Sequence, residues 1–418
     1  MPDSATLIVA GGGAAGFFCA VNAARLNPSL KVILLEKTDK LLSKVKVSGG
    51  GRCNLTHACF DIAVMSKCYP RGGPFVKKAF HRFFTSDTIA WFKERGVATK
   101  TEKDGRMFPV TDSSQTIIDC LLKEAGRYGV EIILKQELCG ISRSDDGFKI
   151  QCTNGKVYEA GYLCIASGGY PKSVMFDWLT ATGHSIAAPV PSLFTFNLSG
   201  HMTGAKSHPL TALMGVSITN ARVKIMGTKL ETEGPLLITH WGLSGPAVLR
   251  LSAWAARELK EKQYVFTAQV SWITGMNEME LREEFQQNRI LHAAQKITGR
   301  NNYGLATRLW EFLLLQSGVT ASMRWADLPS AVQNKLIRNL LFYECPVKGK
   351  TTFKEEFVTA GGIHLTEVDP QTMMSRKLPG LFFAGEVLDV DGITGGYNFQ
   401  HAWTSGWIAA DAIASMSR

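Results

Sequence analysis

Three glycines near the start of the sequence, Gly11, Gly13 and Gly16, have the spacing of a phosphate-binding turn. They follow the apolar run "LIVA" and precede small residues that favour a helix, and Glu36 ends a second apolar run about 20 residues later. In such a unit, the glycines let a pyrophosphate approach the backbone, and the helix N-terminus stabilises its charge. The carboxylate of Glu36 can accept hydrogen bonds from both ribose hydroxyls and would repel a 2′-phosphate. The sequence therefore predicts a dinucleotide site that disfavours NADP.

The elements that must position these residues form a βαβ unit, with strands at 7–10 and 31–36 and a helix at 14–26. A dehydrogenase continues with regular βα units, whereas here a glycine-rich segment follows at 40–56, which we expect to be irregular. Long segments of this kind are usually functional, and an extended FAD needs one along its length. With no second G-x-G-x-x-G after a strand, the sequence favours FAD over NAD.

The composition is that of a soluble globular protein, with 45% hydrophobic residues and a formal net charge of +10. Basic residues are frequent between Lys67 and Arg106, but no nucleic-acid-binding motif accompanies them. Nine cysteines without a C-x-x-C pair are typical of buried, reduced thiols. We see neither a signal peptide, a membrane-spanning run nor a zinc-ligand spacing, and we expect a cytoplasmic protein without a bound metal.

The chain changes character after "APVPSL", where two prolines stand close together. We predict an FAD-binding domain at 1–190 and 344–418, interrupted by an inserted β-rich domain at 191–275 and a helical subdomain at 276–343. Within the insertion, separate strand-like runs are predicted near 215–219 and 223–226. The chain returns with "FVTAGGIHL", and "GLFFAGE" is a further buried strand that ends in Glu386.

Three stretches carry a resemblance to a known family: "KVSGGGRCN" at 46–54, "VTAGGI" at 358–363, and a long tail at 381–410 that includes "TGGYNFQHAW". They resemble the HI0933-like flavoproteins, whose members include proteins described as an aminoacetone oxidase and a bile-acid-intermediate reductase. The resemblance covers the whole chain. It implies an α/β fold: a glutathione-reductase-type FAD-binding Rossmann domain with an inserted β-rich domain and a helical one.

The resemblance also implies which residues contact FAD. Those expected at the ADP half are Gly11, Gly13, Ala14, Ala15, Gly16, Glu36, Lys37 and, through its backbone, Leu138. Those expected to line the cofactor or lie near its pyrophosphate are Ser48, Gly49, Gly50, Arg52, Cys53, Asn54, Ala166, Ser167 and Gly168. Those expected at the ribityl chain and the isoalloxazine are Gly385, Glu386, Gly392, Thr394, Gly395, Gly396, Tyr397 and Asn398.

The catalytic side chain stays open. Lys46, Tyr397 and His401 are candidates because they titrate and lie in segments close to the cofactor, as do Lys44 and Arg52. Arg52 could instead anchor a phosphate, and His401 could instead satisfy a helix start. A flavin transfers hydride itself, so the protein needs to supply positioning and at most one acid or base.

The predicted function is an FAD-dependent oxidoreductase that transfers hydride between a small-molecule substrate and flavin N5. Oxygen or NAD(P)H would complete the other half-reaction. Two alternatives remain open: a flavoenzyme that acts on tRNA, suggested by the basic charge, and a flavin-bound redox sensor or scaffold without turnover. The sequence does not indicate an oligomeric state.

Overall fold

In a computed structural model of the protein, the described residues are 6–144, 147–200, 208–351 and 358–418. The chain divides into two compact units. The first unit combines Met1–Ser192 with Phe353–Arg418, and the second unit is Leu193–Thr352. The second unit is therefore an insertion within the first. Its end lies later than the sequence-based boundary at 343, because the strand at Tyr343–Thr351 belongs to the insertion.

A five-stranded parallel sheet organises the first unit, in the order β19-β10-β1-β2-β6. The strands are β1 (Thr6–Ala10), β2 (Lys31–Glu36), β6 (Glu131–Leu134), β10 (Tyr162–Ile165) and β19 (Leu381–Phe383). All residues of β1 are buried. Parallel strands covered on both faces read as continuous apolar runs, which is why the sequence located this one.

Helices α1 (Ala14–Leu26) and α13 (Tyr397–Met416) pack closely together on the sheet. A β-carbon at Gly406 would lie 2.6 Å from the carbonyl oxygen of Ala15, so the small residues allow the two backbones to approach. The other helices of this unit are α2 (Ser43–Gly51), α3 (Ile62–Ser66), α4 (Gly73–Phe80), α5 (Thr85–Lys93), α6 (Gln115–Arg127) and α7 (Asp177–Thr180).

Three small sheets complete the first unit. They are formed by β3 (Thr56–His57), β5 (Arg106–Pro109) and β4 (Thr99–Thr101); by β7 (Leu138–Ser144), β8 (Gly147–Cys152) and β9 (Val157–Ala160); and by β11 (Ile186–Ser192) and β18 (Val358–Ile363). The segment 40–56, expected to be irregular, contains α2 and the start of β3. That expectation was wrong for its first part, where the residues before the glycines form a helical turn.

A closed six-stranded antiparallel barrel forms the core of the second unit, in the order β12-β15-β14-β13-β16-β17. Its strands are β12 (Thr195–Leu198), β13 (Ser217–Ile225), β14 (Glu231–Ile238), β15 (Gly242–Ser244), β16 (Val265–Ser271) and β17 (Tyr343–Thr351). Alternate residues of β14 are buried, as expected for strands that have one face in a barrel interior.

Helices α8 (Pro246–Trp254), α9 (Ala256–Glu261), α10 (Glu278–Leu291), α11 (Thr307–Ser317) and α12 (Ser330–Leu341) also belong to the second unit. Trp310 and Trp325 from the helical part lie in the same hydrophobic cluster as Ile225 and Leu236 from the barrel. The β-rich and helical parts, predicted as separate domains, therefore share one core. Within the described residues, no helix has the length and apolarity needed to cross a membrane.

Candidate functional site

The turn between β1 and α1 has no room for side chains at two of its glycines. Gly11 has φ +119°, and a β-carbon there would lie 2.3 Å from the carbonyl oxygen of Ala166. A β-carbon at Gly16 would lie 1.8 Å from the carbonyl oxygen of Gly11. The turn is thus held tightly between the start of α1 and the end of β10.

The third glycine, Gly13, faces open space instead. It is the N-cap residue of α1, and a β-carbon there would meet no atom of the described chain within 4 Å. Within the same residues no side chain caps this helix end. The uncapped N–H groups and the positive end of the helix dipole can bind an anion such as a pyrophosphate. Gly168, after β10, is open in the same way.

Glu36, at the end of β2, holds the turn as well as facing the expected ribose. Its Oε2 accepts a hydrogen bond from the N–H of Gly12 at 2.8 Å, and its Oε1 accepts two from the N–H and hydroxyl of Thr38, each at 2.8 Å. Each carboxylate oxygen has two lone pairs. The Thr38 hydroxyl can instead donate to the carbonyl oxygen of Lys40 at 3.2 Å, so the Glu36 carboxylate keeps acceptor capacity for the ribose hydroxyls that the sequence predicts. Gly12 and Thr38 were not predicted as site residues. They orient Glu36 through hydrogen bonds that no sequence motif indicates.

Glu386 lies just after β19 and joins three parts of the first unit. Its Oε2 pairs with the ammonium group of Lys44 at 2.5 Å, and its Oε1 accepts the N–H of Thr359 at 2.8 Å. The hydroxyl of Thr359 is buried and has no hydrogen-bond partner among the described residues. Thr359 was not predicted individually, although it lies in the "VTAGGI" stretch.

The "SGGGRCN" loop breaks helix α2. Gly49 and Gly50 have φ values of +59° and +70°, and a β-carbon at Gly50 would meet no atom of the described chain within 4 Å. With its side-chain amide oriented to satisfy both groups, Asn54 accepts the N–H of Gly396 at 3.0 Å and donates to the carbonyl of Thr56 at 3.1 Å. This contact joins the loop to the N-terminus of α13.

The C-terminal loop before α13 is built on a buried ion pair that the sequence did not reveal. Arg71 binds both carboxylate oxygens of Asp391, and the hydroxyl of Ser192 donates to the same carboxylate at 2.8 Å. One residue later, Gly392 and Asn398 exchange two hydrogen bonds at 2.8 and 2.9 Å. These bonds fix the turn that contains the glycine pair at 395–396.

Two expected site residues have other surroundings. The Arg52 guanidinium lies 2.6 Å from Glu102 and 3.6 Å from Asp112, and it covers the ring of Phe108. Its charge is thus balanced by carboxylates, which argues against a phosphate anchor. The side chain of Lys46 is exposed. The Nε–H of Arg52 also donates to the carbonyl oxygen of Gly49 at 3.4 Å, so the Arg52 side chain lies against the glycine loop.

Burial decides the chemistry of two other candidates. It raises the pKa of the Cys53 thiol to about 12, so this thiol stays protonated and is not a redox nucleophile. Burial also lowers the pKa of His401 to about 4. Its Nε2–H donates to the carbonyl of Gly385 at 3.3 Å, and its Nδ1 has no partner among the described residues. His401 is therefore neutral at pH 7 and suits an acceptor rather than an acid.

The carboxyl ends of β1, β2, β10 and β19 lie at one edge of the parallel sheet, here called the rim. The remaining expected residues follow these strands or lie in other elements of the first unit. Lys37 places its ammonium group 5.5 Å from the centre of the Tyr170 ring, and Tyr397 is buried and stacks on His57. Leu138 begins β7, shortly after Gln136, whose N–H binds the carbonyl of Glu36. Of the others, Ala14 and Ala15 begin α1, Ser48 lies in α2, Ser167 follows β10, and Thr394 precedes α13.

This rim fits FAD in three respects. An uncapped helix and two open glycines suit the pyrophosphate, and the remaining acceptor capacity of Glu36 suits a ribose. The buried hydroxyl of Thr359 offers one further hydrogen-bonding group for a polar ligand. A parallel sheet with this set of groups at its carboxyl edge defines a dinucleotide-binding protein of the Rossmann type.

Comparison with known proteins identifies the family. The family described as HI0933-like protein Rossmann domain matches residues 5–412. The chain therefore belongs to the HI0933-like family and is an FAD-dependent oxidoreductase, which disfavours the alternative of a scaffold without turnover.

Relatives of similar length are known. The chain is 31% identical to the ribosomal RNA dihydrouridine synthase of Escherichia coli K12, over 98% of both chains. It is 29% identical to the 3-dehydro-bile acid delta(4,6)-reductase of Clostridium scindens, over 97% of this chain and 98% of that one. Among solved structures, the 3-ketosteroid-delta4-(5alpha)-dehydrogenase of Rhodococcus jostii RHA1 has a TM-score of 0.52 at 12% identity, over 98% and 96% of the chains. The last similarity concerns the fold alone.

Proposed function

We propose that this protein reduces a carbon–carbon double bond conjugated to a carbonyl group in a small molecule. The observation that supports this most directly is the pair of full-length relatives, named a dihydrouridine synthase and a bile acid delta(4,6)-reductase. Dihydrouridine differs from uridine by a saturated bond next to a carbonyl, and the second name also denotes reduction of double bonds. The two substrates differ, so the shared element is the reaction type.

Bound FAD would supply the hydride acceptor and donor. The chain's own residues then bind and orient it. The N-terminus of α1, with Gly13, holds the pyrophosphate, and Glu36 accepts the ribose hydroxyls. Thr359 offers its free hydroxyl to the cofactor, and the N-terminus of α13 stabilises negative charge on the ring.

The first experiment is anaerobic addition of NADH or NADPH to the FAD-loaded protein, followed by a panel of enones. We expect at least one of the two nicotinamides to bleach the flavin absorbance. An enone should then restore the absorbance, with one enone molecule consumed for each flavin reoxidised. Bleaching by amines or alcohols, with no response to either nicotinamide, would overturn the proposal and indicate an oxidase.

A second candidate substrate is the uracil ring within RNA. Three basic residues on α4 and just after it, Lys77, Lys78 and His81, are exposed, and within the described residues none has a carboxylate partner. Together with the net charge of +10 and the Escherichia coli relative, they favour a polyanion.

RNA binding at several salt concentrations distinguishes the two candidates. If RNA is the substrate, Lys77→Glu should weaken binding and reduce the slope of log K against log salt by about one. Lys335→Glu, an exposed lysine of the second unit, is the matched control. If both variants and the native protein bind RNA with equal affinity, RNA is rejected as the substrate and the small-molecule proposal remains.

A further inference from the structure

His57, in strand β3, lies against the turn that precedes α13. Its imidazole stacks on the ring of Tyr397, with centroids 4.7 Å apart and an interplanar angle of 23°. Its Nδ1 lies 3.0 Å from the carbonyl oxygen of Gly395. A carbonyl only accepts hydrogen bonds, so Nδ1 carries the hydrogen and the ring orientation is fixed.

The second ring nitrogen, Nε2, lies beside Gly105. A β-carbon at Gly105 would lie 2.5 Å from Nε2, and Gly105 has φ +85°, so both the space and the backbone conformation there require glycine. The His57 side chain is half-buried. Since Nδ1 is already a donor, any added proton goes to Nε2.

Strand β3 also contacts the glycine pair directly. A β-carbon at Gly396 would lie 2.5 Å from the carbonyl oxygen of Thr56. Gly396 is the N-cap residue of α13, a helix of 20 residues. A positive charge on His57 would therefore act at the same point as the positive end of the helix dipole.

The charged groups around His57 are otherwise compensated. Arg106 of β5, the cross-strand partner of His57, forms ion pairs with Glu102 at 2.9 Å and Asp104 at 2.7 Å. From the other side, Tyr69 donates its hydroxyl to the carbonyl of Tyr397, and burial keeps the pKa of Tyr69 well above its usual value. His57 is the imidazole of this cluster, and imidazole is the side chain that proteins most often use to bind and release a proton.

We propose that His57 is a positioning residue that takes up a proton when the cofactor is reduced and so stabilises the reduced state. Transfer of a hydride adds one negative charge to the cofactor, and one solvent proton on Nε2 balances it. The inference rests on the placement of FAD against the turn at 395–396 in the proposed function.

The test is a potentiometric titration of the FAD-loaded protein between about pH 5.5 and 8.5, with electrons from xanthine and xanthine oxidase. His57→Gln keeps a side-chain N–H donor but cannot titrate, and His364→Gln, at an exposed histidine outside this cluster, is the control. Near pH 6, we expect the native protein to favour the reduced state about tenfold more than His57→Gln, a difference of about 30 mV for two electrons. The difference should vanish above about pH 8.

Identical curves for the native protein and His57→Gln would overturn the inference. If that variant does not fold, nitrogen NMR of the native protein gives the same answer: the His57 Nε2 signal should change to that of a protonated nitrogen on reduction, and an unchanged signal would contradict the proposal. Neither result depends on turnover. A protein that shows the proton uptake but reduces no enone would refute the proposed function and leave the role of His57 intact.

Discussion

The two units bury their largest side chains in different ways. In the first unit, the indole N–H of Trp91 donates to Asn22 at 2.9 Å, and that of Trp403 donates to the carbonyl of Leu55 at 2.9 Å. In the second unit, the buried indoles of Trp310 and Trp325 have no hydrogen-bond partner among the described residues. These two rings contribute through apolar burial, whereas Trp91 and Trp403 also fix geometry.

The difference fits what each unit has to do. The first unit must hold backbone groups at a rim with little freedom, so hydrogen bonds and close backbone contacts specify positions there. The second unit has one apolar core, to which both its barrel and its helices contribute. Substitutions should therefore affect stability most in the second unit and cofactor affinity most in the first.

The largest effect expected is that of Trp310→Ala. Trp310 is 1% exposed, and removal of a buried Trp side chain costs about 3–5 kcal/mol. Denaturant unfolding should show this loss in the transition of the second unit, while FAD affinity of the protein stays unchanged. Trp254→Ala, at a residue 42% exposed, is the control and should change stability little. If Trp310→Ala lowers the stability of both units equally, the proposed difference between the two units is wrong.

Acid should destabilise the first unit through His401. Burial lowers its folded pKa to about 4, below the unfolded value of about 6.5, so the unfolded state binds more protons between these values. The stabilisation is complete above pH 6.5 and falls by about 3 kcal/mol as the pH drops through about 4. Unfolding measured across this range should show a weaker pH dependence for His401→Gln.

His208, in the second unit, also has a pKa lowered by burial and acts in the same direction. Acid should therefore also destabilise the second unit, and His401→Gln should leave that effect unchanged. If His401→Gln leaves the acid response of the first unit unchanged, another group is responsible.

Two helical glycines test the close contact at the phosphate turn. Gly16→Ala introduces a carbon against the carbonyl of Gly11 and should cost about 1–3 kcal/mol and at least about tenfold in FAD affinity. Gly126→Ala, in α6, meets no described atom within 4 Å and should stabilise the protein by about 0.5–1 kcal/mol. Fluorescence titration with FAD and thermal unfolding measure both. Normal FAD binding by Gly16→Ala would contradict the tight turn.

The smallest effect concerns the hydroxyl of Thr359. Because it has no partner in the described protein, Thr359→Val should change the stability of the FAD-free protein little. If FAD uses this hydroxyl, its affinity should fall about fivefold, equivalent to about 1 kcal/mol, while Thr359→Ser should retain it. Calorimetric titration with FAD decides; identical affinities would show that the hydroxyl does not contact the cofactor.

The sequence predicted the central elements of the first unit closely, because the buried parallel strands and the helix stop signals are local. It predicted two strands at 215–219 and 223–226, where the structure has one strand, β13, with a register shift between Ile218 and Ala221. A bulge interrupts the apolar alternation, so one strand has the pattern of two.

The candidate site was less accessible to prediction where partners lie far apart in sequence. The glycine motif and Glu36 are local signals, and the structure places them together. Arg52 meets Glu102 and Asp112 only through the fold, and the same holds for Arg71 and Asp391. The role of His57 depends on its contact with a turn more than 300 residues later in the chain.

The packing of α1 against α13 has a consequence for biosynthesis. Because the first helix meets its partner only at residues 397–416, a nascent chain cannot complete the first unit until those residues have been synthesised. The inserted unit, whose residues are contiguous, is available to fold earlier. We expect chains truncated before α13 to fail to retain FAD.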